Sequence, residues 1–323
     1  MKIFLLYKWL LKQNVANIIY YSILNQLMVF ISIISPFIIG RFIDSLIYSP
    51  SNNIIIIFAL LFGALNILKF FKSFIVSRIY LKLSTKMELE LLLDIYDSLI
   101  SMPINDIHKL DTPKLTQMLK NDVRKVVIFC ISTIPIIVKN LTLITVPTVI
   151  LLYTSYFITL IMILLMVIYV LFHYILRGKM YNMNHEMTNS QNTLFSKFFG
   201  HISNLNQIKM RGELSQANKS IRSDFRDYLS IALKSQKLIF LHDGLDNMIS
   251  TITQITLFVF GGIQVANGNF TIGTFTIFTS YFNMLLKACQ YFFHFGAHKL
   301  STQAASDRLV EIKAMSLSND DGI

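Results

Sequence analysis

Long apolar runs alternate with polar, basic intervals along this chain. The runs cover about Ile18 to Gly40, Ile54 to Val76, Val127 to Leu152, Tyr156 to Leu176, Asn247 to Asn267 and Thr271 to Phe293. Each comes close to the ~20 residues an α-helix needs to cross the hydrocarbon core of a bilayer, so the pattern predicts six membrane spans. Between the fourth and fifth runs, Arg177 to Leu245 keeps a helical rhythm. Apolar residues fall at Phe195, Phe198, Ile202, Leu205 and Ile208, the rhythm breaks at Met210-Arg211-Gly212-Glu213, and it resumes at Leu214, Ala217, Ile221, Phe225 and Tyr228. Two helices of about 30 residues, each about 45 Å long, joined by a tight turn near Gly212 are expected here. Part of that length must project into water, as a stalk with a blunt tip.

A similar stalk is expected after the second run. No turn signal follows Val76, so that helix should continue through Arg78, Lys82, Glu88 and Ile95 until Met102-Pro103 ends it, because a residue before proline is pushed out of the α region. Residues 104–125 then form the tip and the return. Asp111-Thr112-Pro113 suits a helix start, with Asp111 or Thr112 as cap and Pro113 in the first turn. Tyr153-Thr154-Ser155 and Gly268-Asn269-Phe270 are short turns, and residues 41–53, with Asp44 and Pro50, form an outer loop. Ile3 to Leu11, interleaved with Lys2, Lys8 and Lys12 around Trp9, suits a short interfacial helix. The expected organisation is an interfacial elbow over residues 1–17, a six-helix domain over 18–314 with cytoplasmic stalks at about 78–125 and 177–245, and a polar linker over 315–323. The fold class is all-α membrane protein with two long cytoplasmic helical hairpins.

Composition sharpens this picture. Of the 323 residues, 54% are hydrophobic and only 15% charged, well below the roughly one quarter of a soluble domain. The net charge of +11 could suggest nucleic acid. However, 24 of the 29 Lys and Arg fall in residues 1–17, 78–125, 177–245 and 294–323. That bias is the positive-inside pattern of a multi-pass membrane protein with both termini cytoplasmic, and it leaves no nucleic-acid partner to explain. Cys130 and Cys289 lie in or beside apolar runs and read as small buried hydrophobes. Lys8 interrupts the first apolar stretch, which argues against a cleaved signal peptide.

Within the six runs there is no Asp or Glu, yet Lys69, Lys72, Lys139 and Lys287 are present. Ammonium groups in lipid are costly, so such lysines either snorkel to the interface or face a watery cavity. The cavity candidates are Lys139 with Asn140, and Lys287 with Asn283 and Gln290. They point to a positive cavity suited to anionic, amphipathic cargo, with interfacial snorkelling of all four lysines as the competing reading. His294 and His298 share a helix face but lack a third ligand, so no metal is expected. Asp243 and Asp246 read as caps at the start of the fifth span.

Four local segments, in order, resemble the transmembrane domain of ATP-binding-cassette exporters of the type 1 (multidrug, peptide or lipid exporter) class. Leu99 to Val126, with Met102-Pro103 and Leu119-Lys120-Asn121-Asp122-Val123, resembles the first intracellular loop of that family. Gln207-Ile208-Lys209-Met210-Arg211-Gly212-Glu213 is similar to the second. Asn267 to Phe275 resembles the outer turn before the last helix, and Gln303-Ala304-Ala305-Ser306-Asp307-Arg308-Leu309 the approach to the nucleotide-binding domain. Phe199-Gly200-His201-Ile202 departs from the family pattern, which places a glutamate there. The resemblance implies pairing with a second copy or a homologous domain, and stalk tips docked on ATPase domains. The implied docking residues are Asp111, Thr112, Pro113 and Lys114 on one tip, and Asn204, Ile208, Lys209, Arg211, Gly212 and Glu213 on the other. It also implies a multi-pass protein of a bacterial plasma membrane.

No phosphate-binding loop with its lysine occurs in the 323 residues; the nearest approach, Gly268 to Gly273 followed by Thr274-Phe275, lacks it. This chain is therefore expected to bind no cofactor itself, ATP and Mg being held by a separate or missing nucleotide-binding domain. Two other readings stay open: an ion-driven carrier or channel, and a membrane-anchored enzyme or peptide-immunity protein. Absent intramembrane acids weigh against the first, and the lack of a catalytic constellation against the second.

Overall fold

In a computed structural model of the chain, residues 7–48, 50–103, 112–212 and 214–317 are described. Among them the regular structure is entirely helical: α1 (Lys8–Tyr48), α2 (Asn52–Ile100), α3 (Thr112–Thr154), α4 (Tyr156–Ser203), α5 (Leu205–Met210), α6 (Leu214–Ala266) and α7 (Ile272–Leu317). The breaks fall where the backbone demands them. Arg211-Gly212 turns the chain between α5 and α6, with Gly212 at φ 71°, and Gly268, at φ 76°, turns it between α6 and α7. A side chain at either position would crowd its own backbone in that left-handed conformation. The second stalk holds one extra break, at Asn204, which the apolar rhythm does not signal.

The first helix differs from expectation at both ends. It runs unbroken across the boundary at residue 17 and on to Tyr48, so residues 8–17 of the expected elbow and 41–48 of the expected outer loop belong to it. Nothing between Lys12 and Ile18 breaks a helix: that stretch holds neither glycine nor proline.

Among the described residues, five helices hold a segment long and apolar enough to cross a membrane: α1, α2, α3 from Met118, α4 as far as Met180, and α6. The sixth expected span, in α7, is not among them. Its first 16 residues carry Thr274, Thr276, Thr279, Ser280, Asn283 and Lys287, a polar load that lowers its apolarity. At 49 and 53 residues, α2 and α6 are about 74 and 80 Å long, so each outruns a ~30 Å hydrocarbon core.

The chain divides into two compact units, residues 1–159 with 257–323, and residues 160–256. In the first unit, the main buried cluster gathers Tyr7, just before α1, Leu10 and Ile18 of α1, Leu83, Met87, Leu91 and Ile95 of α2, Val123 to Ile131 of α3, and Ala305, Leu309 and Ile312 of α7. On α2 these residues recur every four positions, one stripe of the helix, and no residue of α2 before Leu83 is fully buried. The apolar half of the same helix instead exposes Ile57, Leu60, Phe70, Phe71 and Phe74. This split follows from the solvent. In water each buried Leu or Met contributes about 1.5–3 kcal/mol, whereas lipid tails are as apolar as leucine and offer no such gain.

Polar links fasten the cluster. Asn14, buried on α1, donates to Glu90 of α2 at 2.9 Å and to the Leu10 carbonyl at 3.1 Å. Lys313 of α7 pairs with Asp94 of α2. Farther along α1, Gly40 crosses Gly273 so closely that a Cβ on Gly273 would stand 2.0 Å from the Gly40 carbonyl oxygen.

In the second unit, α4 and α6 meet through Lys197 and Asp224, 2.6 Å apart, and through a buried polar cluster described below.

Candidate functional site

A cavity of about 420 Å³ lies in the first unit between α1, α2 and α7. Its walls are Ser32, Ser35, Pro36 and Ile39 from α1, Lys69 from α2, and Ser280, Asn283, Met284 and Lys287 from α7. The α7 set recurs at steps of three, one and three, a single helical face, and the α1 set does the same. Pro36 adds a further polar group. Having no N–H, it leaves the Ser32 carbonyl without its usual helical donor, in a wall that already carries two hydroxyls. The cavity thus offers two ammonium groups, three hydroxyls and one carboxamide, with no carboxylate on its wall. Such a lining stabilises negative charge.

Of the residues singled out from the sequence, Asn283 and Lys287 line this cavity. Lys139 does not; it is exposed on α3. Its neighbour Asn140 is buried and returns its amide to the Ile136 carbonyl at 2.8 Å, which closes a bond within its own helix. Gln290 is half-buried on α7, one turn beyond Lys287. Lys69 was not singled out ahead of the other intramembrane lysines. It becomes distinguishable only once α2 is placed beside α7.

The second stalk ends in α5, six residues long, followed by Arg211-Gly212. Asn204, Lys209, Arg211 and Gly212 are exposed and Ile208 is half-buried. Exposed apolar side chains flank them: Leu205 at 42%, Met210 at 88% and Leu214 at 52%. On the other tip, α3 begins at Thr112, where the proline-marked start was expected. Asp111, Glu213 and the side chains of Thr112, Pro113 and Lys114 lie outside the described residues.

The Gly268-to-Gly273 segment is no phosphate cradle. The Gly273 amide donates to Asp44 Oδ1 at 2.8 Å, and the Thr271 hydroxyl donates to Asp44 Oδ2 at 2.8 Å. Asp44 thereby occupies the N-terminus of α7 as a carboxylate from another helix, while Thr271 Oγ1 accepts from the Thr274 amide at 3.0 Å. An anion already fills the place a phosphate would take. Asp44, expected in a loop, was unreadable in this role because its partners lie more than two hundred residues away.

Two motifs quoted from the sequence meet in space. Arg308 of α7 donates from Nε and Nη2 to the two oxygens of Asp122 on α3, each at 2.8 Å. Hydrogen bonding to Asp122 raises the guanidinium's pKa above its usual value, while partial burial works against it.

Asp246 corrects an expectation. It is not a helix cap, because α6 runs unbroken from Leu214 to Ala266 and has no N-terminus there. Instead its Oδ1 accepts from the Tyr169 hydroxyl at 3.1 Å and lies 2.7 Å from His173 Nε2. His173 Nδ1 in turn lies 3.0 Å from His242 Nε2. No sequence reading singled out these two histidines, which stand 69 residues apart.

Comparison with known proteins gives one strong result. The family model described as ABC transporter transmembrane region matches residues 18–289, most of the chain. No curated protein matches it.

Proposed function

Because the chain belongs to the ABC transporter transmembrane family, a multi-pass integral membrane domain, we propose that it forms the translocation pathway of an ATP-driven exporter for anionic, amphipathic cargo. The observation that carries the substrate class is the cavity of about 420 Å³ with Lys69 and Lys287 on its wall and no acid beside them. Lys69, half-buried on α2, and Lys287, on the facing wall of α7, place two positive charges on one cavity, where a carboxylate, sulfate or phosphate headgroup can meet both. The surrounding apolar helices accept the hydrophobic part of the same molecule.

ATP and Mg are assigned to nucleotide-binding domains supplied by another chain or segment, since this chain's best glycine-rich segment is capped by Asp44. The exposed Leu205, Met210 and Leu214 at the second stalk tip suit a groove on such a domain, because apolar groups left in water gain by being covered. A second copy or a homologous domain completes the pathway. Six crossings, with α7 as the last and both termini in the cytoplasm of a bacterial cell, agree with the distribution of basic residues. ATP closure of the ATPase pair then favours one state of the membrane helices over another, giving alternating access. An ion-driven carrier or channel, and a peptide-immunity protein without ATPase coupling, have no comparable observation in their favour.

The test is ATP-dependent transport by the assembled complex in proteoliposomes. A fluorescent amphiphile with an anionic head should be moved, and should stimulate hydrolysis, at least tenfold better than the same tail with a cationic head. Equal handling of the two, or preference for the cation, removes the proposed substrate class. Failure of Met210→Asp to weaken ATPase binding removes the docking role of the tip.

A further inference from the structure

In the second unit, Tyr169 and His173 stand four residues apart on α4, and His242 and Asp246 four apart on α6. Side chains at that spacing share one helix face. The two faces meet, with His173 and His242 buried and the Asp246 side chain only 15% exposed. One donor atom from each of His173, His242 and Asp246 lies within 4.8 Å of the other two.

The geometry points to a divalent metal site of the zinc type, built from His173, His242 and Asp246. Two imidazoles and one carboxylate form a three-ligand set whose borderline nitrogen donors suit zinc, cobalt, nickel or copper rather than magnesium or calcium. Metal–ligand lengths of about 2.0–2.2 Å place neighbouring ligands of a tetrahedral ion about 3.3 Å apart. His173 Nδ1 and His242 Nε2, at 3.0 Å, are already near that separation. Rotation of the His173 imidazole brings one of its nitrogens to an ion shared with Asp246. The metal replaces the hydrogen bond between the two rings, and water or the Tyr169 hydroxyl takes the fourth position.

An outer partner for one ligand is already in place. Asp243 Oδ1 lies 3.4 Å from His242 Nδ1. With Nε2 on the metal, His242 carries its proton on Nδ1 and turns it toward that carboxylate, the arrangement that orients a metal-binding histidine. Facing pairs of ligands on adjacent helices are also how helical bundles build metal centres. An ion here ties α4 to α6.

Untagged chain in lipid nanodiscs provides the test, with zinc and cobalt salts as probes. Titration calorimetry and elemental analysis should give one zinc per chain with micromolar or tighter affinity. Cobalt should show the visible bands of tetrahedral nitrogen–oxygen ligation and be displaced by zinc. His173→Ala and His242→Ala should each weaken binding at least tenfold, and Asp246→Asn several-fold, while His201→Ala and His298→Ala leave it unchanged. Loss of a buried imidazole can itself unfold the helix pair, so the unmodified protein carries a separate readout: zinc should raise its unfolding temperature and a chelator should reverse the rise. The inference fails if the unmodified chain binds no stoichiometric zinc. It fails equally if a folded His173→Ala/His242→Ala variant keeps the affinity, the four side chains then serving only as a hydrogen-bonded network.

Discussion

The Asp122 carboxylate accepts from both Nε and Nη2 of the Arg308 guanidinium, a bidentate pair linking residues 186 apart. Asp122 is 5% exposed and Arg308 40%. The two ends of the pair are therefore unequal: the acid depends on its partner, while the guanidinium still reaches water.

That inequality sets the first prediction. Arg308→Ala strands a buried carboxylate and should cost about 2–3 kcal/mol, below the 3–5 kcal/mol of fully buried pairs because of the exposed guanidinium. Asp122→Ala leaves only a half-exposed cation and should cost less. Thermal unfolding of the two variants in detergent checks the order. A double Asp122→Arg/Arg308→Asp exchange should recover part of the loss, and no recovery at all would mean that side-chain shape, not charge pairing, matters here.

The cavity makes a sharper distinction among the lysines. Lys69→Met and Lys287→Met should each weaken binding of an anionic amphiphile roughly tenfold or more, in line with the 1.5–3 kcal/mol of a charge-assisted hydrogen bond. Lys139→Met, altering a side chain on α3 that is not on the cavity wall, should leave binding unchanged. Fluorescence titration on the nanodisc-embedded chain measures all three. A loss with Lys139→Met equal to that with Lys287→Met would move the anion elsewhere.

Leucines on α2 should divide by solvent. Leu91→Ala opens a hole in a fully buried cluster and should cost about 2–5 kcal/mol. Leu60→Ala, at a position 68% exposed on the apolar half, should cost far less. Equal losses in denaturant or heat would contradict the division between a water-side core and a lipid-side surface.

Where α1 crosses the start of α7, Gly273→Ala should be more damaging than its size suggests. The new methyl would meet the Gly40 carbonyl oxygen at 2.0 Å and the Asp44 carboxylate at 2.6 Å, forcing α1 and α7 apart at a cost of about 1–3 kcal/mol. Asp44→Ala, which only uncaps α7, should cost about 1 kcal/mol. Cysteine crosslinking between the two helices, compared with the parent chain, reports the separation directly.

Much of this architecture is legible from the residue pattern. Met102-Pro103, Ser155, Gly212 and Gly268 punctuate the chain where the helices stop, because each acts on its own backbone. Lengths and spans follow from composition, apart from α7, whose polar face cuts its apolarity below that of the other five. What stays hidden depends on partners far along the chain. Lys69 and Lys139 look alike as lysines in apolar runs, and only the placement of α2 against α7 separates them. Asp44 reads as a loop acid until Gly273 is brought beside it. His173 and His242 each look like an isolated histidine, although the four-residue spacings to Tyr169 and Asp246 were present as a signal.

The water-side cluster also dictates an order of events during synthesis. Its members run from Tyr7 to Ile312, so the ribosome must deliver about 300 residues between the first stripe and the last before the cluster can close. Until residues 305–312 emerge, Met87, Leu91 and Ile95 can pack only against the parts of the cluster from α1 and α3, and the cluster stays open on one side. Insertion of the membrane segments can proceed one by one, but closure of this cluster waits on α7.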